Sequence, residues 1–422
     1  MRYSVSAGDA LHLIGPLGKR LDYTVRLKLR LVDAVDGEIL RRAAEKTQRR
    51  YPYFSVRLCR DESSYFYEDN PAPIVVRHGV GRMRLNAAES NYHVWGVSYE
   101  GDVLCLEFFH GIADGNGMYR VLATLLYYYC AERYGVSDHT GIRTLEDPIL
   151  PAETHDPLDD LPQLDLAGMK PQQQERAFSL TADGGMTSTG WTIIDFEVPE
   201  SAFVRFSSAN DASPGTMVSI LLARAIDELY PTRERPLVGG YVINGRPMLH
   251  GVESHHNCVT NVTFPFTERV KAMPFERQCT VHRGATFVQS DAERVARTLG
   301  VSASISRGLM RSPVPLEMKK QGFAQMISGA ETRFSFMVSY VGQWQQKALS
   351  PYILEFWTHV PCTLGLTAEI AAINGKIFVS LNQNFKEDTV AKSFARQLAQ
   401  NGIPYEMREP IPTDVPYFSD LE

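Results

Sequence analysis

The stretch from Val103 to Tyr134 constrains the fold more than any other part of the chain. Leu104, Leu106 and Phe108 alternate with other residues as on one face of a strand. The same alternation places His110 on that face, at the strand's end. Gly111, Gly115 and Gly117 make a sharp turn accessible, because glycine enters backbone conformations closed to other residues. Met118 to Tyr134, rich in Leu and Tyr, then reads as a long buried helix. Strand, glycine-rich turn and buried helix leave His110 at a mouth rather than in mid-sheet. An imidazole there can take a proton from a hydroxyl or amine near neutral pH and later release it. Asp114, four residues on, approaches it only if the turn folds back. On spacing alone the bland alternative is the commoner one: a lone histidine in an apolar strand is more often a satisfied core residue.

The rest of the chain alternates strands and helices. Val25, Leu27, Leu29 and Leu31 alternate with Arg26, Lys28 and Arg30, a strand with one buried face. A helix capped by Asp36 ends near Tyr51-Pro52, since proline disfavours helical geometry in the residue before it. Short strands follow at 55–58 and 65–67. Residues 138–189 are rich in Pro, Asp, Gln and Gly and read as a linker. Beyond them lie strands at 191–198, 237–243, 334–341 and 376–383. Helices are expected from Ser213-Pro214-Gly215, over 275–299, 302–310 and 316–327, and near 390–400.

Composition narrows the classes. At 422 residues, with 44% hydrophobic and 22% charged residues, this is a globular chain of more than one domain. Its formal charge of -6 argues against general binding to nucleic acid or anionic membrane. Cys59, Cys105, Cys130, Cys258, Cys279 and Cys362 form no CxxC pair and read as buried thiols of a reducing compartment. With no signal-peptide pattern at Met1 to Asp9 and no long apolar run, a cytoplasmic protein without a membrane span is expected.

Phe108-Phe109-His110-Gly111-Ile112-Ala113-Asp114-Gly115 resembles the HxxxDG motif of the chloramphenicol acetyltransferase and condensation-domain superfamily. Arg49-Arg50-Tyr51-Pro52-Tyr53-Phe54-Ser55-Val56-Arg57-Leu58, Asn244-Gly245-Arg246-Pro247 and Ser339-Tyr340-Val341-Gly342 are similar, in order, to further segments of its alcohol acetyltransferase-like branch. Phe109 stands where peptide-forming condensation domains carry a first histidine, and Tyr340 where asparagine or phenylalanine is commoner.

The resemblance implies an α/β (α+β) protein of two lobes, residues 1–175 and 176–422, each a mixed sheet packed with helices. An active-site channel would run between them, with a crossover near 340–370 reaching the N-terminal lobe. It further implies acyl transfer from acyl-coenzyme A to a small alcohol or amine, with His110 as general base and no acyl-enzyme. Asp114, Gly115 and Arg246 would support the site, Asp114 pairing with Arg246. Ser339, or a backbone N–H, would stabilise the oxyanion; Asn257-Cys258-Val259 looks like a channel-lining strand start, so Asn257 or His256 would contact substrate. The alternatives are a carrier-protein phosphopantetheine donor and a non-catalytic protein that keeps the fold.

Other groups weigh less. His250, His255, His256 and Cys258 lie close together but lack zinc-ligand spacing, so a polar loop is expected rather than a metal site. Arg307, Arg311, Lys319 and Lys320 form a basic group, either a solvated helix face or a contact for the phosphates of coenzyme A. Cys105 would face away from His110 and is read as core, as is the Tyr127-Tyr128-Tyr129 cluster.

Overall fold

A computed structural model describes residues 1–14, 24–166, 175–322, 333–361 and 365–413. Strand Thr24–Leu31 forms as the alternation requires: Val25, Leu27, Leu29 and Leu31 are buried. Arg26 on its other face is matched by Glu107 on the adjacent strand, Nη2 to Oε1 2.9 Å. Helix Gly37–Arg50 follows, Asp36 accepting from the Glu38 and Ile39 N–H groups, and it stops before Pro52. Helix Gly115–Tyr134 begins three residues earlier than the apolar pattern suggests, because Asp114 caps it by accepting from the Gly117 N–H.

Two large sheets carry the fold. In the first the order is Ile353–His359, Thr24–Leu31, Val103–Phe109, Trp95–Glu100 and Val76–His78. In the second it is Val259–Phe266, Leu237–Asn244, Phe336–Gln343, Leu366–Ile373, Lys376–Phe385, Ser188–Pro199 and Glu406–Met407, with Ile411–Thr413 also paired to Ser188–Pro199. Arg2–Ser4, Tyr65–Asp69 and Val56–Arg60 make a small third sheet. One apolar core lies around the first large sheet and the helices Gly37–Arg50 and Gly115–Tyr134. A second lies between the other large sheet and the helices Pro214–Leu229 and Thr389–Gln400. The result is a two-lobed mixed α/β fold. No helix among the described residues is long and apolar enough to cross a membrane.

The lobes are stitched by strand Ile353–His359, which leaves the second half of the chain to pair antiparallel with Thr24–Leu31. Trp357 is fully buried against Phe378, ring centroids 4.7 Å apart, and its indole N–H donates to Glu355 at 2.9 Å. Arg408 grips Glu355 with both terminal nitrogens (2.8 and 2.9 Å) and lies over the Trp357 ring.

Several sequence expectations are corrected. The helical run expected over 275–299 is two helices, Phe275–Gln289 and Ala292–Arg311, because Asp291 caps a fresh N-terminus by accepting from the Glu293 and Arg294 N–H groups. Its second helix continues through Gly300, where a break was expected. The segment read as a linker is anchored in its described parts: Glu153 is buried against Arg50, and Leu158 packs beside Cys258 and Leu299. Residues 167–174 of it lie outside the described residues, as do 323–327 of the helix expected over 316–327.

Replacing Trp357 by Ala should cost ~3–5 kcal/mol of stability, as for other buried large-to-small changes. Urea unfolding monitored by circular dichroism measures it; a loss below ~1 kcal/mol would remove Trp357 as the anchor of the crossover.

Candidate active site

Strand Val103–Phe109 ends one residue before His110, and the turn to Gly115 carries the chain into the helix. Two side chains from distant segments hold that turn by its carbonyls. Tyr67 Oη donates to the Gly111 carbonyl at 3.0 Å, and Asn257 Nδ2 donates to that of His110 at 2.7 Å. Gly117 is demanded by packing: a Cβ there would lie 2.3 Å from the His255 carbonyl oxygen. Gly115 packs against strand Phe336–Gln343, its Cβ position 3.0 Å from a Val341 methyl carbon.

Asp114 is almost fully buried, and Arg246 engages it bidentately. Nη1 donates to Oδ2 at 2.8 Å and Nη2 to Oδ1 at 2.7 Å. The same carboxylate accepts from the Gly117 and Cys258 N–H groups at 3.1 and 3.2 Å. Arg246 completes its donor set with Asn244 Oδ1 and the carbonyls of Ser254 and His256. Burial alone would raise the Asp114 pKa, but the Arg246 charge and these hydrogen bonds bring it below the ordinary value.

A second ion pair lies beside the first. His256 has one ring nitrogen 2.8 Å from Asp9 Oδ2 and the other 2.9 Å from the Thr154 carbonyl oxygen. Both partners are acceptors, so both nitrogens carry protons. Burial opposes that charge, but Asp9 overcomes it and the His256 pKa rises to about 9. Asp9 also accepts from Asn257 Nδ2 at 2.9 Å, so the amide that holds His110 is itself held by Asp9. His256 is corrected from substrate contact to charged brace, since neither ring nitrogen is left to bind a ligand. Asp9 was missed because a single acidic residue in Ala7-Gly8-Asp9-Ala10 carries no motif, and its partners lie far along the chain.

Burial lowers the His110 pKa; a hydrogen bond to its own backbone, the Asp114 charge, the Asn257 amide and the Asp9 charge act in the opposite direction without reversing it. The imidazole is therefore neutral at pH 7. His255 is neutral too: burial, reinforced by Arg120, lowers its pKa to about 3, and its Nδ1 donates to the Gly117 carbonyl at 2.8 Å. His255, His256 and Cys258 thus diverge to separate partners.

Ser339 shares a hydrogen bond with the Glu369 carboxyl on the adjacent parallel strand. The phosphate reading of the basic group fails at Lys319, which is fully buried with Nζ donating to the Ser63 and Met310 carbonyls at 2.8 and 3.0 Å. Arg307 is likewise tied to the carbonyls of Leu158 and Leu161. Lys320 faces Glu317 on its own helix at 3.4 Å. Cys105 is buried within its strand.

Solved structures share this architecture. F. sporotrichioides TRI101 complexed with coenzyme A and T-2 aligns over 96% of this chain and 99% of its own, TM-score 0.63, at 11% identity. The first condensation domain of the CDA synthetase aligns over 95% and 96%, TM-score 0.65, at 13% identity. Polyketide synthase associated protein 5 from Mycobacterium tuberculosis aligns over 94% and 96%, TM-score 0.60, at 12% identity. The chain shares the two-lobed fold of these acetyltransferase and condensation-domain structures. No protein-family model matches the sequence, and no curated protein matches it.

Two outcomes test this reading of the ion pairs. Asp114→Asn leaves Arg246 buried without its counter-charge and should cost about 3–5 kcal/mol. An Asp114→Asn protein as stable as the parent that lost only turnover would contradict the bracing role. The Asp9–His256 pair has a pH signature. Because the His256 pKa is raised from 6.5 in the unfolded chain to about 9, its contribution is complete below 6.5 and lost as pH rises through about 9. The Asp9 contribution is present above 3.8 and lost as pH falls through its lowered folded value. The stability difference between the parent and His256→Gln, on the order of 3 kcal/mol at neutral pH, should shrink toward pH 10; a pH-independent difference would refute the charged state.

Proposed function

We propose that this protein is an acyltransferase that moves an acyl group from a coenzyme A thioester to a small alcohol or amine, with His110 as general base. The observation that carries the reading is the state of His110: a partly buried imidazole of lowered pKa at the end of a strand, in a turn held through its carbonyls by Asn257 and Tyr67. Such a base is ready to accept a proton at pH 7 and is fixed in place while doing so. The fold shared with TRI101, whose structure holds coenzyme A, supports the thioester donor.

In the proposed reaction the acceptor's O–H or N–H proton passes to His110 as its lone pair attacks the thioester carbonyl. The carbonyl π electrons move onto oxygen, and Ser339 donates a hydrogen bond to that oxyanion. Collapse reforms the carbonyl and breaks the C–S bond. The departing thiolate takes the proton from His110, giving an ester or amide and the free thiol. No acyl-enzyme is needed. Asp114, Gly115 and Arg246 hold the loop, while Asn257 holds the base rather than the substrate.

A pantetheine thioester on a carrier protein would serve the same chemistry, and the fold shared with a condensation domain favours keeping that donor in view. Transfer from a loaded carrier with none from any acyl-CoA would reassign the donor.

Thiol release across a panel of acyl-CoAs, with and without alcohols and amines, tests the function. His110→Ala should lower turnover about 10²–10⁴-fold; rates equal to the parent's would overturn the assignment. Turnover needs the neutral ring, so kcat/KM with an alcohol acceptor should fall on acidification through a pKa below 6.5. An acid limb above that value would contradict the buried environment.

A further inference from the structure

Strand Leu366–Ile373 has two dissimilar faces. Leu366, Ala368, Ile370 and Ala372 belong to the core of the second lobe, whereas Ala371 and Ile373 belong to that of the first. Side chains alternate along a strand, so Glu369 points toward the seam between the lobes. On the neighbouring strand Phe336 and Val338 enter the second core, which turns Ser339 and Val341 to the seam as well. Ser339 and Glu369 are direct partners in the parallel register, and Val341 is the residue that meets Gly115 at the start of the helix after the His110 turn. Ser339 is partly exposed and Glu369 buried, so the hydroxyl stands in front and the carboxyl behind it.

A buried carboxyl is expected to have a cation beside it. Among the described residues Glu369 has none. Tyr119 on helix Gly115–Tyr134 faces it closely enough to feel its charge. Ser380 lies opposite it on the next strand, and Tyr340 is Ser339's neighbour on the strand before. The nearby acid Asp195 is engaged by His359 and Ser380. Such surroundings favour the neutral acid: burial raises the Glu369 pKa to about 8, against the opposing hydrogen bond of Ser339.

We propose that Glu369 is a positioning residue for acyl transfer: its protonated carboxyl donates to Ser339 Oγ, which turns the Ser339 hydroxyl hydrogen toward the thioester oxyanion. A serine hydroxyl has one hydrogen and two lone pairs, so a donor behind it fixes which way the hydrogen points. The arrangement polarises the hydroxyl as negative charge develops in front of it. An ionised Glu369 would reverse it, claiming the Ser339 hydrogen for itself. The inference rests on the acyltransferase reading and extends it to the oxyanion side of the site.

The test is a pH profile of kcat with an alcohol acceptor, which does not titrate in the range, for the parent, Glu369→Gln, Glu369→Ala, Ser339→Ala and the double variant Glu369→Ala with Ser339→Ala. The parent should lose activity on an alkaline limb near pH 8. Glu369→Gln, whose amide still donates, should stay within about threefold of the parent at pH 7 and lack that limb. Glu369→Ala should lose about tenfold, one hydrogen bond's worth. Ser339→Ala should lose about 10²–10³-fold, with no further loss in the double variant. An alkaline limb that persists in Glu369→Gln, or losses that simply multiply in the double variant, would overturn the proposal. A parent protein that transfers no acyl group from any thioester would instead sink the acyltransferase reading, and is distinguished before any variant is made.

Discussion

The buried pair of Asp114 and Arg246 is the constraint on which the rest of the site depends. The two residues are 132 positions apart in the chain, so the pair forms only when the two lobes are in register. Burying two charges is unfavourable unless every donor and acceptor is satisfied. Here Arg246 donates to one carboxylate, one side-chain amide oxygen and two carbonyls, while Asp114 also accepts from two backbone N–H groups. One of those N–H groups starts the long helix and the other belongs to the 254–258 segment. A single interaction thus fixes the helix start, the His110 turn and the loop that carries Asn257.

The two anions near His110 are each held by their own cation, Asp114 by Arg246 and Asp9 by His256. An unpaired carboxylate would hold the imidazole protonated and useless as a base. With both neutralised, burial decides, and the ring remains neutral at pH 7. Asp9 further links charge to geometry, because the oxygen next to the one facing His256 receives the Asn257 amide. The N-terminal helix is thereby part of the site, although no motif marks it.

Local patterns were legible in the sequence, and closures between distant segments were not. The Thr24–Leu31 alternation, the Asp36 cap and the Tyr51-Pro52 stop act within a few residues and could be read directly. The strand before His110 and the helix after it were equally clear. Lys319 was misread because a lysine on a charged helix resembles a solvated one until its carbonyl partners, one of them Ser63, are known. His256 was misread for the same reason, its partner Asp9 lying at the opposite end of the chain. Asp291 shows a local miss: the apolar period runs on through it, and only the cap geometry reveals that one helix ends and another begins.

The seam-facing side of the second sheet holds the least expected pattern. A surface whose only task was to bury itself would be apolar on both faces. Here one face of strands Ser188–Pro199, Leu366–Ile373 and Lys376–Phe385 is apolar, whereas the other carries Asp195, Glu369, Ser380 and Asn382, all buried. Part of that polarity secures the crossover: His359 meets Asp195 at 3.2 Å, and Asn382 accepts from the Val360 N–H at the same distance. Glu369 secures nothing of the kind, since its one hydrogen-bonding partner among the described residues is a serine on its own sheet. A carboxyl in that position costs stability without joining the lobes. Its retention at the seam is more simply understood if the hydroxyl in front of it has a chemical task.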